Sequence, residues 1–175
     1  TGGTYSRIFI RNDKILLPFE VVMIKAIKII LSILIVAVWG PVSFAEEKPL
    51  DITVYRSPTC GCCGKWIEHL KQNNFKVKDI ITDDMDKIKA EYGVPKEMAS
   101  CHTAIVDGYV IEGHVPAADI MKLLKTKPKV IGLAVPGMVA GSPGMEMSGG
   151  AQPYDVMSFD KENHFEVFNR YKGDQ

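Results

Sequence analysis

The chain has 175 residues, in which 21 lysines and arginines are balanced by 21 aspartates and glutamates, with a hydrophobic content of 46%. No basic face is clustered along it, which argues against a nucleic-acid partner, and residues 46–175 alone are enough for one domain to build a core without disulfides standing in for it. With only 4 cysteines, their placement carries more information than their number.

Residues 1–22 show no clear periodicity and read as an upstream extension without a structural role. Next come Lys25 and Lys28, then the run Ile29 to Val38, apolar apart from Ser32, and the helix-breaking Trp39-Gly40-Pro41. Ser43-Phe44-Ala45 supplies small residues at the spacing a signal peptidase reads. Residues 23–45 are therefore expected to be a secretory signal peptide cleaved after Ala45, with Met23 as the natural start. The alternative, an uncleaved anchor, is disfavoured because the apolar run falls short of the ~20 residues of a spanning helix. No cysteine follows Ala45, so a lipid anchor there has no acceptor. Residues 46–175, slightly acidic, are expected to form one periplasmic domain with no membrane association.

Glu46 to Pro49 is a polar lead into a first strand at Asp51 to Tyr55, and Thr59-Cys60-Gly61-Cys62-Cys63-Gly64 follows. From Gly64 to Asn73, Trp66, Ile67 and Leu70 recur at helical spacing and leave Lys65, Glu68 and Lys71 outward. Phe75 to Ile81 reads as a second strand, and Asp83 or Asp84 caps a helix through Ile88 to Tyr92 that stops at Gly93 and Pro95. A strand-helix-strand unit of this kind places its strands parallel in one sheet. Thr103 to Val106 and Tyr109 to Ile111 flank Asp107-Gly108 and are expected to pair as a hairpin. Pro116 opens a third helix with Ile120, Leu123 and Leu124 on its apolar face, and the lysines from Lys122 to Lys129 read as its solvated end. Tyr154 to Phe159 and His164 to Tyr171 close the chain as a further hairpin.

Chemistry concentrates in the cysteine loop. Cys60 and Cys63 stand at i, i+3, so on the first turn of a helix both sulfurs face one point beyond its N-terminus, with Cys62 between them. Free amide N–H groups and the helix dipole there favour thiolate, which is both nucleophile and metal ligand. The element order with a Cys-x-x-Cys after the first strand resembles the thioredoxin fold. That likeness implies an α/β architecture, a central mixed sheet flanked by helices, to which the C-terminal hairpin is an extra element. It also implies that Cys101, in Ala99-Ser100-Cys101-His102-Thr103, stands where a residue preceding a cis-proline would lie, so that all four sulfurs meet. No proline is present in that segment.

Tyr55 to Cys63, Gly113-His114-Val115-Pro116-Ala117, and Leu133 to Met138 through Gly141 to Glu146 together resemble the CopG-type copper-resistance proteins, a thioredoxin-like periplasmic family long filed as a domain of unknown function. The resemblance spans nearly all of residues 46–175 and carries the family's metal-binding cysteines onto Cys60, Cys62, Cys63 and Cys101.

The donor chemistry leads the same way without the family. Soft thiolates favour Cu(I), zinc or an iron–sulfur cluster. Zinc in an all-cysteine site normally uses two well-separated pairs, whereas crowded thiolates can bridge more than one Cu(I). Met138, Met145 and Met147 add thioethers on a Gly/Pro-rich loop, with ordinary packing by an adaptable side chain as their alternative role. For the cysteines the alternative is two disulfides, Cys60–Cys63 with Cys62–Cys101, because a Cys62–Cys63 bond is strained. His114 precedes the third helix in a turn, and His102 adjoins Cys101 but faces away from it unless the chain bends there. His69 lies on the order of 10 Å along the helix from Cys62, and His164 reads as an exposed strand residue.

Two functions fit this pattern. One is a periplasmic protein that binds Cu(I), in one or more ions, and serves copper resistance with periplasmic copper exporters or chaperones as partners. The other is a thiol–disulfide oxidoreductase in which Cys60 attacks and Cys63 resolves. A copper or thiol oxidoreductase activity is compatible with either; metal binding is the firmer expectation.

Overall fold

A computed structural model describes residues 23–30, 48–146 and 149–173. The chain divides into two compact units, Thr1–Glu46 and Glu47–Gln175. In the first, residues 23–30 are helical and exposed, and the rest of the expected signal peptide lies outside the described residues. Among the described residues no helix is long and apolar enough to cross a membrane.

The second unit is a single mixed sheet with helices. Its elements are β1 (Leu50–Arg56), α1 (Gly61–Gln72), β2 (Phe75–Ile81), α2 (Met85–Glu91), a one-turn 3-10 helix (Lys96–Met98), β3 (His102–Val106), β4 (Tyr109–Glu112), α3 (Ala117–Thr126), β5 (Gly132–Ala134), β6 (Tyr154–Phe159) and β7 (Phe165–Tyr171). The strands lie in the order β2-β1-β3-β4-β5-β6-β7. The pairs β1/β2 and β4/β5 are parallel and the others antiparallel.

Local chemistry explains most of these boundaries. Asp84 caps α2 by accepting the Lys87 N–H. Asp107 and Gly108 both take positive φ, 47° and 81°, the backbone a two-residue hairpin turn requires. α3 begins after Pro116 and ends at Lys127, which takes a left-handed conformation. Two features depart from the sequence expectation. α1 starts at Gly61 rather than Gly64, so Cys62 and Cys63 lie within the helix and Cys60 directly precedes it. β5 was not expected, because three residues are too few to display an alternating pattern. A Cβ at Gly132 would meet the Val110 carbonyl oxygen, so glycine is what lets β5 approach β4. Through β5 the closing hairpin becomes part of the one sheet.

Side-chain alternation along the strands gives the sheet two apolar faces. On one, Trp66, Ile67 and Leu70 of α1 and Ala117, Ile120 and Leu123 of α3 pack with Ile52, Val54, Ala104, Ile111 and Leu133. Burying each larger side chain of this set stabilises the fold by about 1.5–3 kcal/mol. The other face is smaller and gathers Met98, Val110, Ala134 and Phe159 with Tyr92 and Ile105. The buried Asp119 carboxylate of α3 accepts from the Asn169 amide and the Tyr171 hydroxyl, each at 2.8 Å, which fastens β7 to α3.

Candidate metal centre

Three of the four cysteines are placed by one helix terminus. Cys60 is the residue that precedes α1, with no side-chain cap bond, and its N–H donates to the Ser57 carbonyl. Cys62 and Cys63 fall in the first turn, which has no acidic residue, so nothing on the helix competes with sulfur for the exposed amides. Cys63 is fully buried; Cys60, Cys62 and Cys101 are half-buried.

Cys101 comes to the same point from the far side of the sheet sequence, just before β3. Its Sγ lies 3.6 Å from Cys63 Sγ and 3.9 Å from Cys62 Sγ, and Cys62 Sγ lies 3.7 Å from Cys60 Sγ. All four sulfurs are within 4.8 Å of one another. Cys60 and Cys63 are joined as a disulfide, while Cys62 and Cys101 are free thiols. Of the two disulfides weighed from the sequence, only the first is formed.

Both weaker histidine candidates also arrive here. β3 begins at His102 and the chain bends at Cys101, so the two neighbours turn toward one point and His102 Nδ1 lies 3.2 Å from Cys101 Sγ. His114 Nε2 lies 3.1 Å from the same sulfur. Cys101, His102 and His114 thus form a second donor set that shares Cys101 with the four sulfurs. The His102 ring is fully buried, packed 4.3 Å from the Trp66 ring and edge-on to His114 at 5.0 Å. Its Nε2 is the one buried side-chain nitrogen or oxygen without a hydrogen-bond partner among the described residues.

Burial sets the protonation states. It holds His102 well below the ordinary imidazole value, helped by the neighbouring His114 and Lys89, and it lowers His114 as well. Burial, and then the adjacent Cys62, push the Cys101 thiol up to about 12. Near neutral pH the site therefore presents neutral imidazoles and a protonated Cys101, and a soft cation binding there must displace that proton.

The loop between β5 and β6 closes one side. The Pro143 carbonyl lies 2.8 Å from His114 Nδ1. Gly144, at φ +83°, is packed so tightly on α1 that a Cβ would stand 2.7 Å from the Trp66 nitrogen. Met145 and Glu146 face Gly61, Cys62 and Lys65 across a small cleft. Met138 is 63% exposed and does not line that cleft; Met147 lies outside the described residues. Of the thioethers, Met145 alone is brought beside a cysteine among the described residues.

Two other histidines have structural duties. His69 Nε2 accepts the Ala117 N–H at the start of α3. His164 pairs with Asp160 in the exposed β6–β7 turn, where Asp160 also accepts the Glu162 and His164 amides. Glu112 went unnoticed in the sequence. It is a fully buried carboxylate beneath the Cys101 segment, and its position at the end of a short apolar run in a hairpin was the only available signal.

Residues 98–145 match a family model described as a protein of unknown function, DUF411. None of the curated proteins matches the chain. Among solved structures, one described as "Copper resistance protein copG- Form 2" is 47% identical, covering 71% of this chain and 99% of its own, with a TM-score of 0.68. Its counterpart, "Copper resistance protein copG- Form 1", is 48% identical over 72% of this chain and 100% of its own, again with a TM-score of 0.68.

Proposed function

The chain belongs to the CopG-type copper-resistance family, and from that premise we propose that it binds Cu(I) in the periplasm through Cys60, Cys62, Cys63 and Cys101. The observation that carries this reading is the convergence of four sulfurs, no two more than 4.8 Å apart, beside two neutral imidazoles. Soft thiolates select Cu(I), and among the described residues the two donor sets at this point hold cysteines and histidines with no carboxylate. Cys101 belongs to both donor sets, so it is the natural bridging sulfur between ions held by the other cysteines and an ion held by His102 and His114. More than one Cu(I) per chain is the expected load.

His114 is supported as a ligand by its second nitrogen. A carbonyl only accepts, so the Pro143 oxygen fixes the proton on Nδ1 and leaves the Nε2 lone pair aimed at Cys101. Met145 is positioned to pass the ion from the cleft to Cys62. Met138 and Met147, on the same stretch of sequence, would meet the ion before Met145 does.

A redox role rests on the Cys60–Cys63 disulfide. Opening it takes two electrons and two protons from a dithiol partner and frees two further sulfurs; in the other direction, closing it releases two electrons that reduce two Cu(II) to Cu(I), so oxidation state and copper capacity are linked. Cleavage after Ala45 would deliver the domain to the compartment where copper exporters and chaperones collect the ion.

The reading is tested by loading anaerobically reduced protein with Cu(I) and measuring metal per chain and ultraviolet thiolate-to-copper absorption. More than one ion is expected, and fewer in Cys101→Ser. Uptake unchanged in that variant would remove the fourth sulfur from the site, and no uptake at all would overturn the function.

A further inference from the structure

Burying a carboxylate is unfavourable unless charge and hydrogen-bond partners compensate it, so a fully buried Glu112 at the end of β4 demands a reason. It lies on the sheet face opposite Trp66 and directly across from Thr103 in the β3/β4 ladder. Three donors converge on it. Lys89 of α2 pairs with Oε1, the Ser100 N–H donates to the same oxygen at 2.6 Å, and the Thr103 hydroxyl donates to Oε2 at 2.7 Å. Lys89 also reaches the Thr103 hydroxyl at 3.1 Å, which ties the cation to both partners.

One of these donors is not part of any helix or strand. Ser100 precedes Cys101 in the segment between the 3-10 helix and β3, where no ladder satisfies the backbone. The rest of that segment is held by neutral bonds: the Ala99 carbonyl takes the Gly137 N–H, the Ser100 hydroxyl donates to the Gly137 carbonyl, and the His102 carbonyl takes the Gly113 N–H. Glu112 supplies its one charge-assisted bond, the strongest kind available to a backbone amide.

We infer that Glu112 is the positioning residue of the metal centre: clamped by Lys89 and Thr103, its carboxylate holds the Ser100 amide and so sets Cys101 Sγ against Cys63, His102 and His114. This rests on the proposed function for its readout but not for its geometry. Glu112 touches no sulfur and acts only through the backbone. Residues that orient metal ligands in this way typically contribute about 10- to 100-fold in affinity.

The test compares two buried carboxylates. Glu112→Ala removes the acceptor, while Asp119→Ala removes a carboxylate equally buried but fastened to β7, away from the cysteines. Both variants are expected to lower the melting temperature. Only Glu112→Ala is expected to weaken Cu(I) binding of the reduced protein, by about 10- to 100-fold in competition with a chromogenic chelator. Glu112→Gln, which keeps an oxygen acceptor for Ser100, is expected to restore most of the loss. Wild-type affinity in folded Glu112→Ala, or an equal loss in Asp119→Ala, overturns the assignment. If Glu112→Ala does not fold, Thr103→Val removes one anchor of the carboxylate, and a several-fold loss is expected; unchanged affinity there also overturns it. If wild-type protein binds no Cu(I), the proposed function falls alone. Positioning is then read from alkylation of Cys101 by iodoacetamide, expected to be several-fold faster in Glu112→Ala, and an unchanged rate overturns it.

Discussion

His114 Nε2 lies 3.1 Å from Cys101 Sγ while its Nδ1 lies 2.8 Å from the Pro143 carbonyl oxygen. The tautomer of a residue beside β4 is thus dictated by a loop about thirty positions later in the chain. Two of its residues are packed firmly against the domain. Its Ser142 is fully buried, and its Gly144 rests on the first turn of the helix that carries Cys62 and Cys63.

Gly144→Ala tests that coupling. A non-glycine residue at φ +83° costs about 1–3 kcal/mol in backbone strain, and the added Cβ would also press on the Trp66 backbone nitrogen. The loop is expected to lift, so the variant should melt at lower temperature, and the His114 ring nitrogens should lose their distinct nuclear-resonance shifts. A His114 spectrum identical to wild type would show that the loop does not hold the ring.

The methionines separate by position. Met145 shares a cleft with Cys62, whereas Met138 is exposed. Changing either to leucine keeps apolar volume and costs little stability, under about 1.5 kcal/mol. Met145→Leu is expected to slow Cu(I) loading in stopped-flow mixing, and Met138→Leu is not. Equal loading rates in wild type and Met145→Leu would leave this loop with a packing role.

Much of the fold was legible because local chemistry and periodicity agreed. The Asp107-Gly108 turn, the second strand from Phe75 to Ile81 and the cap at Asp84 all follow from residues within a few positions of each other. The convergence of Cys60, Cys62 and Cys63 was readable for the same reason. β5 was hidden by its three residues, and its register depends on Gly132 meeting a strand more than twenty residues earlier. His102 meets Cys101 Sγ because alternation along a strand applies only inside the strand, and Cys101 lies at a bend just before its first residue. The apolar run that Glu112 ends does not reveal its role, since its partners Lys89, Ser100 and Thr103 meet only after the sheet forms.

Acid should weaken the metal-free fold through its histidines. Burial lowers the folded-state pKa of His69, His102 and His114 below the unfolded value of about 6.5. The unfolded chain therefore takes up protons first, so stability is full above about pH 6.5 and falls as pH drops below it. Burial raises the Glu112 carboxyl, which offsets part of the loss at lower pH. His69 is remote from the sulfurs in role, since it accepts the Ala117 amide. Urea unfolding of His69→Gln is expected to show a shallower decline between pH 6.5 and 5.5; an identical slope would remove His69 from the account.

Cys60 and Cys63 sit at a helix N-terminus as a redox pair would, and that alone favours attack on a disulfide. A protein substrate must also be held, and an extended peptide is held by pairing with free backbone groups. Beside the cysteine loop those groups are already used: Ala99 accepts from Gly137, the Ser100 amide donates to Glu112, and His102 accepts from Gly113. Cys62 further crowds the approach, its sulfur 3.7 Å from that of Cys60. Reduced protein is therefore expected to reduce insulin disulfides far more slowly than an ordinary thioredoxin, while still giving up its own Cys60–Cys63 bond to a small dithiol. With that bond closed, Cys62, Cys101, His102 and His114 remain as donors, so the oxidised form should bind fewer Cu(I) than the reduced one. Insulin turnover at a thioredoxin-like rate, together with equal copper load in both forms, would favour the oxidoreductase over the copper carrier.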